Sequence, residues 1–298
     1  MSDVRLPVIP SDMPIIDTHV HVWKTSAPWM AWLEQRPQSW DVVRRNFSWR
    51  ELRGLLDTTG VARLILVQAG TSVRESRSLL ELAAVESSVA GVIGWATLTE
   101  PAATEADLDA LALADSGGLV GVRSLHQWEP DRDILARPQV LDACRVVAER
   151  GLALDLFFND HTQLPLAVAL ASKAPAGMRL VIDHLGRPPI GAERAFGAWA
   201  DAMAALSEFP DVYVKYSGWA TVIQRVRSAD VRPYVEFVLE RFGSSRVMYA
   251  SNWPVALVAG GYQETFGASL AAVADLPPAD LAAVLAGTAK RCYLTAAP

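Results

Sequence analysis

Cysteine is scarce in this chain, two in 298 residues, and Cys144 and Cys292 lie far apart and outside any Cys-x-x-Cys or Cys/His spacing. Both sit in stretches of helical periodicity and read as core thiols, which argues against a disulfide framework or a structural zinc site. No apolar stretch reaches the about 20 residues needed to cross a bilayer. Residues 1–14 carry Asp3 and Asp12 and lack the apolar core of a secretory signal. There is no low-complexity segment and no dense run of Lys or Arg; 27 basic residues against 33 acidic ones give a net charge of −6. With a pI near 5.4, neither nucleic acid nor an anionic membrane surface is an expected partner. The expectation is a cytoplasmic protein that works on small molecules.

Apolar side chains, by contrast, are plentiful: 51% of residues are hydrophobic and 20% charged, enough for a large core. Eight short apolar runs end in polar or glycine-containing positions, at 15–22, 64–68, 92–98, 120–125, 153–158, 180–184, 212–217 and 247–251. Most are apolar almost throughout, as parallel strands covered on both faces must be. Helical spacing lies between them, over 78–90 and over 138–150, the latter stopping at Gly151, a well-placed residue just past a helix end. After a long first gap, strand starts recur about every 27 to 34 residues, the length of one strand–helix unit. This predicts an α/β fold, a single (β/α)8 TIM barrel spanning 1–298 as one domain. A doubly wound sheet with a small second domain is the alternative. The long gap holds Trp23, Trp29, Trp32, Trp40 and Trp49. An aromatic loop at about 23–50 would lie over the barrel mouth, where its rings either stack on a flat ligand or pack the loop down or against another subunit.

Four elements carry the chemistry. In the run from Ile15 to Trp23, alternation along a strand puts Asp17, His19 and His21 on one face, and two imidazoles at a strand end can converge on one divalent ion. Asp183-His184-Leu185-Gly186-Arg187 closes the sixth run and brings His184 to the mouth, with Asp183 as its partner or as a buried structural acid. In the seventh run Tyr213, Lys215 and Ser217 alternate with Val212, Val214 and Tyr216. Lys215 would point inward, to bind an oxyanion or to pair with a barrel aspartate. The fourth element, Ser251-Asn252-Trp253-Pro254, ends the eighth run.

Together with Val67-Gln68-Ala69, Gly94-Trp95 and Gly121-Val122-Arg123, these elements resemble the amidohydrolase 2 branch of the amidohydrolase superfamily. The likeness is to the sugar-acid lactonases of the L-fuconolactonase and L-rhamnonolactonase type and to pyrone-dicarboxylate lactonase, and it runs from Asp17 to the 289–294 helix. It implies a (β/α)8 barrel with His19 and His21 on the first strand and His184 on the sixth. In that family the eighth strand usually reads Ser-Asp-Trp-Pro, and its aspartate binds metal or acts as general base. Here the position is Asn252, which accepts no proton near pH 7. A second departure is Arg123-Ser124 where many relatives have Arg-His; His126 stands two residues on.

The resemblance implies hydrolysis of a lactone of a sugar acid or related small acid by an activated water. His184, Asn252 and His21 are the candidate catalytic residues. Arg123, Lys215, Trp23, Gln68, Trp95, His126, Trp219 and Trp253 are candidates for holding the substrate. His19, His21, His184 and Asn252 would ligate one divalent ion, zinc or manganese, weakly bound or absent because Asn252 brings no charge. Asn252 also motivates two alternatives: a metal-independent lactone isomerase, and a lactonase inactivated by an aspartate-to-asparagine change. A non-catalytic binding barrel is a further reading. Self-association into a homo-oligomer is left open.

Overall fold

The computed structural model describes residues 13–115, 117–124 and 134–295. All eight expected strands form: β1 (Ile15–Val20), β2 (Val61–Val67), β3 (Val89–Gly94), β4 (Leu119–Ser124), β5 (Ala153–Leu156), β6 (Leu180–Ile182), β7 (Val212–Tyr216) and β8 (Val247–Tyr249). They pair in parallel in sequence order as one eight-stranded sheet. Just past β8, a bridge from Val20 to Trp253 brings the last strand to the first. The His21 N–H donates to Trp253 O at 2.8 Å, and the Asn252 N–H to His19 O at 3.0 Å. The sheet thus closes on itself beside the histidines, and the doubly wound alternative is ruled out.

Strand alternation sorts the core into an outer layer beneath the helices and an inner one. Val212, Val214 and Tyr216 belong to the outer layer, whereas Ile65, Val67, Ile93, Ala153, Val181 and Met248 fill the interior. The C-terminal segment Lys290–Leu294 inserts Cys292 and Tyr293 among these interior side chains. Both cysteines are free and buried, as a core role requires. Among the described residues no helix is long and apolar enough to cross a membrane.

Helix boundaries follow capping chemistry that periodicity alone misplaces. The helix expected over 78–90 runs from Val73 to Val85, because Ser72 accepts from the Glu75 N–H at its start and Val89 already belongs to β3. The helix Pro138–Glu149 is where it was expected, and Gly151 beyond it has φ +67°. The tryptophan-rich gap folds into short 3-10 turns, Pro28–Gln35 and Gln38–Val43, followed by the helix Trp49–Leu56.

Glu75 ties the helix Val73–Val85 to the loop after β2. Its buried carboxylate accepts from the Ala69 N–H at 2.9 Å and the Gly70 N–H at 2.8 Å. Burial pushes this carboxyl up to about 7 from an ordinary 4.5, against the pull of those two N–H groups. Between these pH values the folded protein keeps a proton that the unfolded chain has released. Stability therefore falls as pH rises from about 4.5 to about 7, by about 1 kcal/mol per pH unit. Urea unfolding of the wild type against Glu75→Gln across this range should show the slope reduced in the variant.

Candidate active site

His19 and His21 are aimed by an irregularity in β1. Its register against β2 shifts between Asp17 and Val20, so Asp17 does not share their face as simple alternation predicts. Its Oδ1 instead accepts from the Ser251 N–H at 2.9 Å and the His19 N–H at 3.2 Å, and burial lifts it to about 6. His19, His21 and His184 converge: the His19 ring centroid is 4.9 Å from that of His21 and 4.6 Å from that of His184.

His184 stands at the start of four consecutive residues with left-handed backbone, His184 (φ +56°), Leu185 (φ +55°), Gly186 (φ +66°) and Arg187 (φ +57°). Asn252, after β8, has φ +59°. Left-handed backbone costs a residue with a Cβ about 1–2 kcal/mol, and such strain concentrates at functional sites. The His184 Nδ1 is 2.7 Å from Ser217 Oγ, and Gly218 (φ +63°) lies flat beneath the ring. A Cβ there would stand 2.6 Å from His184 Cγ. Gly218→Ala therefore should both strain the backbone and push the imidazole aside. A stability loss of about 2 kcal/mol or more, read by thermal unfolding, should come with a clear drop in turnover.

Below the histidines lies a buried ionic cluster. Lys215, fully buried, is paired with Asp155 Oδ2, and the Tyr293 hydroxyl donates to Asp155 Oδ1 at 2.7 Å. Lys215 Nζ is also 3.3 Å from His19 Nδ1 and 3.4 Å from Asp183 Oδ1. Arg123 Nη1 is 3.2 Å from His19 Nε2 and 3.5 Å from Asp183 Oδ2. Gln68 fixes Arg123, its backbone and side-chain oxygens accepting from Nη2 while its amide donates to Arg123 O at 3.3 Å. Burial alone would raise Asp183, but Lys215 and then His19 hold it well below the usual carboxylate range. Burial drives His19 and His21 well below 6.5 and His184 down to about 3, so all three imidazoles are neutral at pH 7. The His21 Nδ1 donates to Val67 O at 2.7 Å. A carbonyl only accepts, so Nδ1 carries the proton and Nε2 presents a lone pair.

His19, Asp183 and His184 each offer a ligand atom within 4.8 Å of the others. Asp183 Oδ1 is buried between them and accepts no hydrogen bond among the described residues. That oxygen, 3.4 Å from both Lys215 Nζ and His19 Nδ1 without a well-formed hydrogen bond to either, stands beside two neutral imidazoles, a donor set that fits a divalent cation. Lys215 and Arg123 already neutralise part of its charge, which weakens such a site.

The cavity above is lined by His21, Trp23, Trp32, Trp40, Arg36, Ala69, Arg123, Phe157, Asn159, His184, Arg187, Thr221, Asn252 and Val255. Of the candidate residues, His21, Trp23, Arg123, His184 and Asn252 reach it. Lys215 does not, because Asp155 draws it beneath His19. Gln68 is buried behind Arg123. Trp219 packs into the layer beneath the helices and donates to Ser269 Oγ at 3.1 Å. Trp253 is fully buried, edge-on to Phe47 at 5.2 Å. Trp95 is half-buried, its N–H held by Ser76 Oγ at 2.8 Å, and it lies outside the lining. His126 lies outside the described residues. In the aromatic loop, Trp23, Trp32 and Trp40 face the mouth, whereas Trp29 and Trp49 line a separate cavity against the helix Val73–Val85. Asp155, Arg36, Phe157, Asn159 and Thr221 were not singled out in the sequence. For Asp155 a signal existed, a lone charge in the run Ala153-Leu154-Asp155-Leu156.

Comparison with known proteins agrees with this architecture. The chain is 35% identical over 257 residues to L-fucono-1,5-lactonase of Burkholderia ambifaria, covering 86% of this chain and 85% of that protein. It is 31% identical to L-fucono-1,5-lactonase of Burkholderia multivorans, with 95% and 97% covered. An amidohydrolase of Burkholderia multivorans solved with bound zinc superposes with a TM-score of 0.85 at 28% identity, over 94% of this chain and 99% of that one. The amidohydrolase family model (Amidohydro_2) matches residues 16–294, and with the eight-stranded barrel and its converging histidines, the chain belongs to that family.

Proposed function

We propose that this protein is a cytoplasmic, single-domain lactonase that hydrolyses the lactone of a sugar acid. The observation that carries the reading is the meeting of His21 Nε2, Arg123 and Asn252 in one tryptophan-walled cavity, in a chain whose curated relatives bear lactonase names. Those names favour hydrolysis over isomerisation.

Opening a lactone requires a polarised carbonyl, a water aimed at it, and a proton for the departing ring oxygen. Trp23, Trp32 and Trp40 offer flat apolar walls for the ring and keep bulk water out. The Arg123 guanidinium, braced by Gln68, faces the oxygen on which charge develops. The neutral, tautomer-fixed His21 takes the proton of the attacking water at Nε2 and returns it to the leaving oxygen. Low basicity from burial makes the return easy. Asn252 orients water or a substrate hydroxyl through its amide. His19 and His184 of the ligand set expected from the sequence, joined by Asp183 while His21 and Asn252 line the cavity, would hold a divalent ion, zinc or manganese, which when bound supplies Lewis-acid polarisation of the carbonyl. The family resemblance implies an aspartate at position 252, and Asn252 in its place brings no charge, which lowers the affinity for such an ion.

The test is acid release from a panel of aldono- and aldarolactones by purified protein, with metal content determined and rates compared before and after chelation. Turnover of at least one lactone is expected, with chelation lowering it. Release of no acid from any of them would overturn the reading.

A further inference from the structure

Two guanidinium groups at the mouth have no part in the chemistry described so far. Arg36, on the turn Pro28–Gln35 and its cap, lies between Trp32 and Trp40, 5.3 Å and 5.0 Å from their ring centroids. Arg187 ends the left-handed turn that carries His184. It donates from Nε to Asn159 O and from Nη1 to Thr221 Oγ1, both at 3.3 Å. Both arginines are partly buried and both line the cavity.

Neither forms an ion pair with any described residue, and no Asp or Glu is among the described residues that line the cavity. Every other cavity arginine is spoken for: Arg123 is engaged by Asp183 and Gln68. The two guanidiniums lie close enough for Arg36 to lower the Arg187 pKa, which burial first pushes down to about 10. The one acid whose field opposes this, Asp160, is exposed and caps the turn after β5 by accepting from the Thr162 N–H at 2.9 Å. Two partly buried positive charges lining one cavity, without an ion pair among the described residues, are unfavourable unless an anion completes them. A planar fork of N–H donors matches a carboxylate. That a protein of net charge −6 keeps cations at this mouth also steers anions there.

We infer that Arg36 and Arg187 form a carboxylate subsite, so that the preferred substrate is a sugar-acid lactone carrying a second, ionised carboxyl group, an aldarate-type monolactone. This rests on the lactonase reading and adds the substrate class to it. The lactone ring lies toward His21 and Asn252, and the free carboxylate toward the two arginines and the rings that flank Arg36.

Galactaro-1,4-lactone and galactono-1,4-lactone differ only in a carboxylate against a hydroxymethyl group and make a matched pair. For the wild type, kcat/KM should favour the carboxylated lactone at least tenfold, chiefly through KM. Arg36→Gln and Arg187→Gln should each reduce that ratio about tenfold or more, with added salt eroding it in the wild type. Equal rates on both lactones, or a ratio unmoved by both variants, would overturn the subsite while leaving lactone hydrolysis intact. A binding measurement stands apart from turnover: galactarate should quench tryptophan fluorescence in the wild type where neutral galactitol does not, and bind at least tenfold more weakly to Arg187→Gln. Indifference to galactarate overturns the inference whatever the activity.

Discussion

Replacing His21 by asparagine lowers kcat for lactone hydrolysis by about 10³-fold, within the 10² to 10⁴ that positioned acid–base groups contribute. The choice of asparagine matters. Its amide nitrogen can occupy the place of Nδ1 and keep the donation to Val67 O, while nothing replaces Nε2. The substitution removes the proton carrier and spares the bond that orients it. KM should change little, and the thermal midpoint should stay within a few degrees of the wild type. Steady-state kinetics alongside thermal unfolding checks this. If kcat falls by less than tenfold, the proton is carried elsewhere.

Replacing Lys215 by methionine destabilises the fold by about 3–5 kcal/mol, the cost of leaving a buried charge without its partner. Asp155 and Asp183 would both lose the ammonium group, and all three side chains are fully buried. The double variant Lys215→Met with Asp155→Leu should recover much of the loss, because two apolar groups of similar shape do not need each other's charge. Urea unfolding of the single and double variants measures both. A single-variant loss under 1 kcal/mol would mean that the cluster carries little energy. Since Lys215 lies 3.3 Å from His19, activity should fall in both variants, so stability and turnover separate in the double variant.

Much of the barrel was legible because buried parallel strands leave a plain trace: Ile65, Val92, Leu154, Val181 and Val214 sit in runs that are apolar almost throughout, between helices of regular length. The inward direction of Lys215 followed from alternation alone. What alternation could not supply was the register shift in β1, which turns Asp17 toward Ser251. Nor could it supply how far each inward side chain lies along the barrel axis. Lys215 and Gln68 point inward yet end beneath the cavity, where Asp155 and Arg123 hold them, and only the three-dimensional pairing decides that depth. Trp219 and Trp253 illustrate the same limit. An aromatic residue beside a catalytic motif packs as readily behind the strand as in front of it, and here Ser269 and Phe47 draw both away from the cavity into the layer beneath the helices. Arg187 belongs to the His184 motif, but that no Asp or Glu stands beside it among the described residues of the cavity is a property of the folded mouth.

In the proposed reaction, water attacks the carbonyl carbon of a sugar-acid lactone in this cavity. Hydrolysis carried out in water enriched in oxygen-18, with the product acid analysed by mass spectrometry, tests it most directly. One labelled oxygen in the carboxylate is the predicted outcome, and its rate of appearance should fall about 10³-fold in His21→Asn. A label in the alcohol, or an unlabelled ring-shifted lactone as the product, would contradict it.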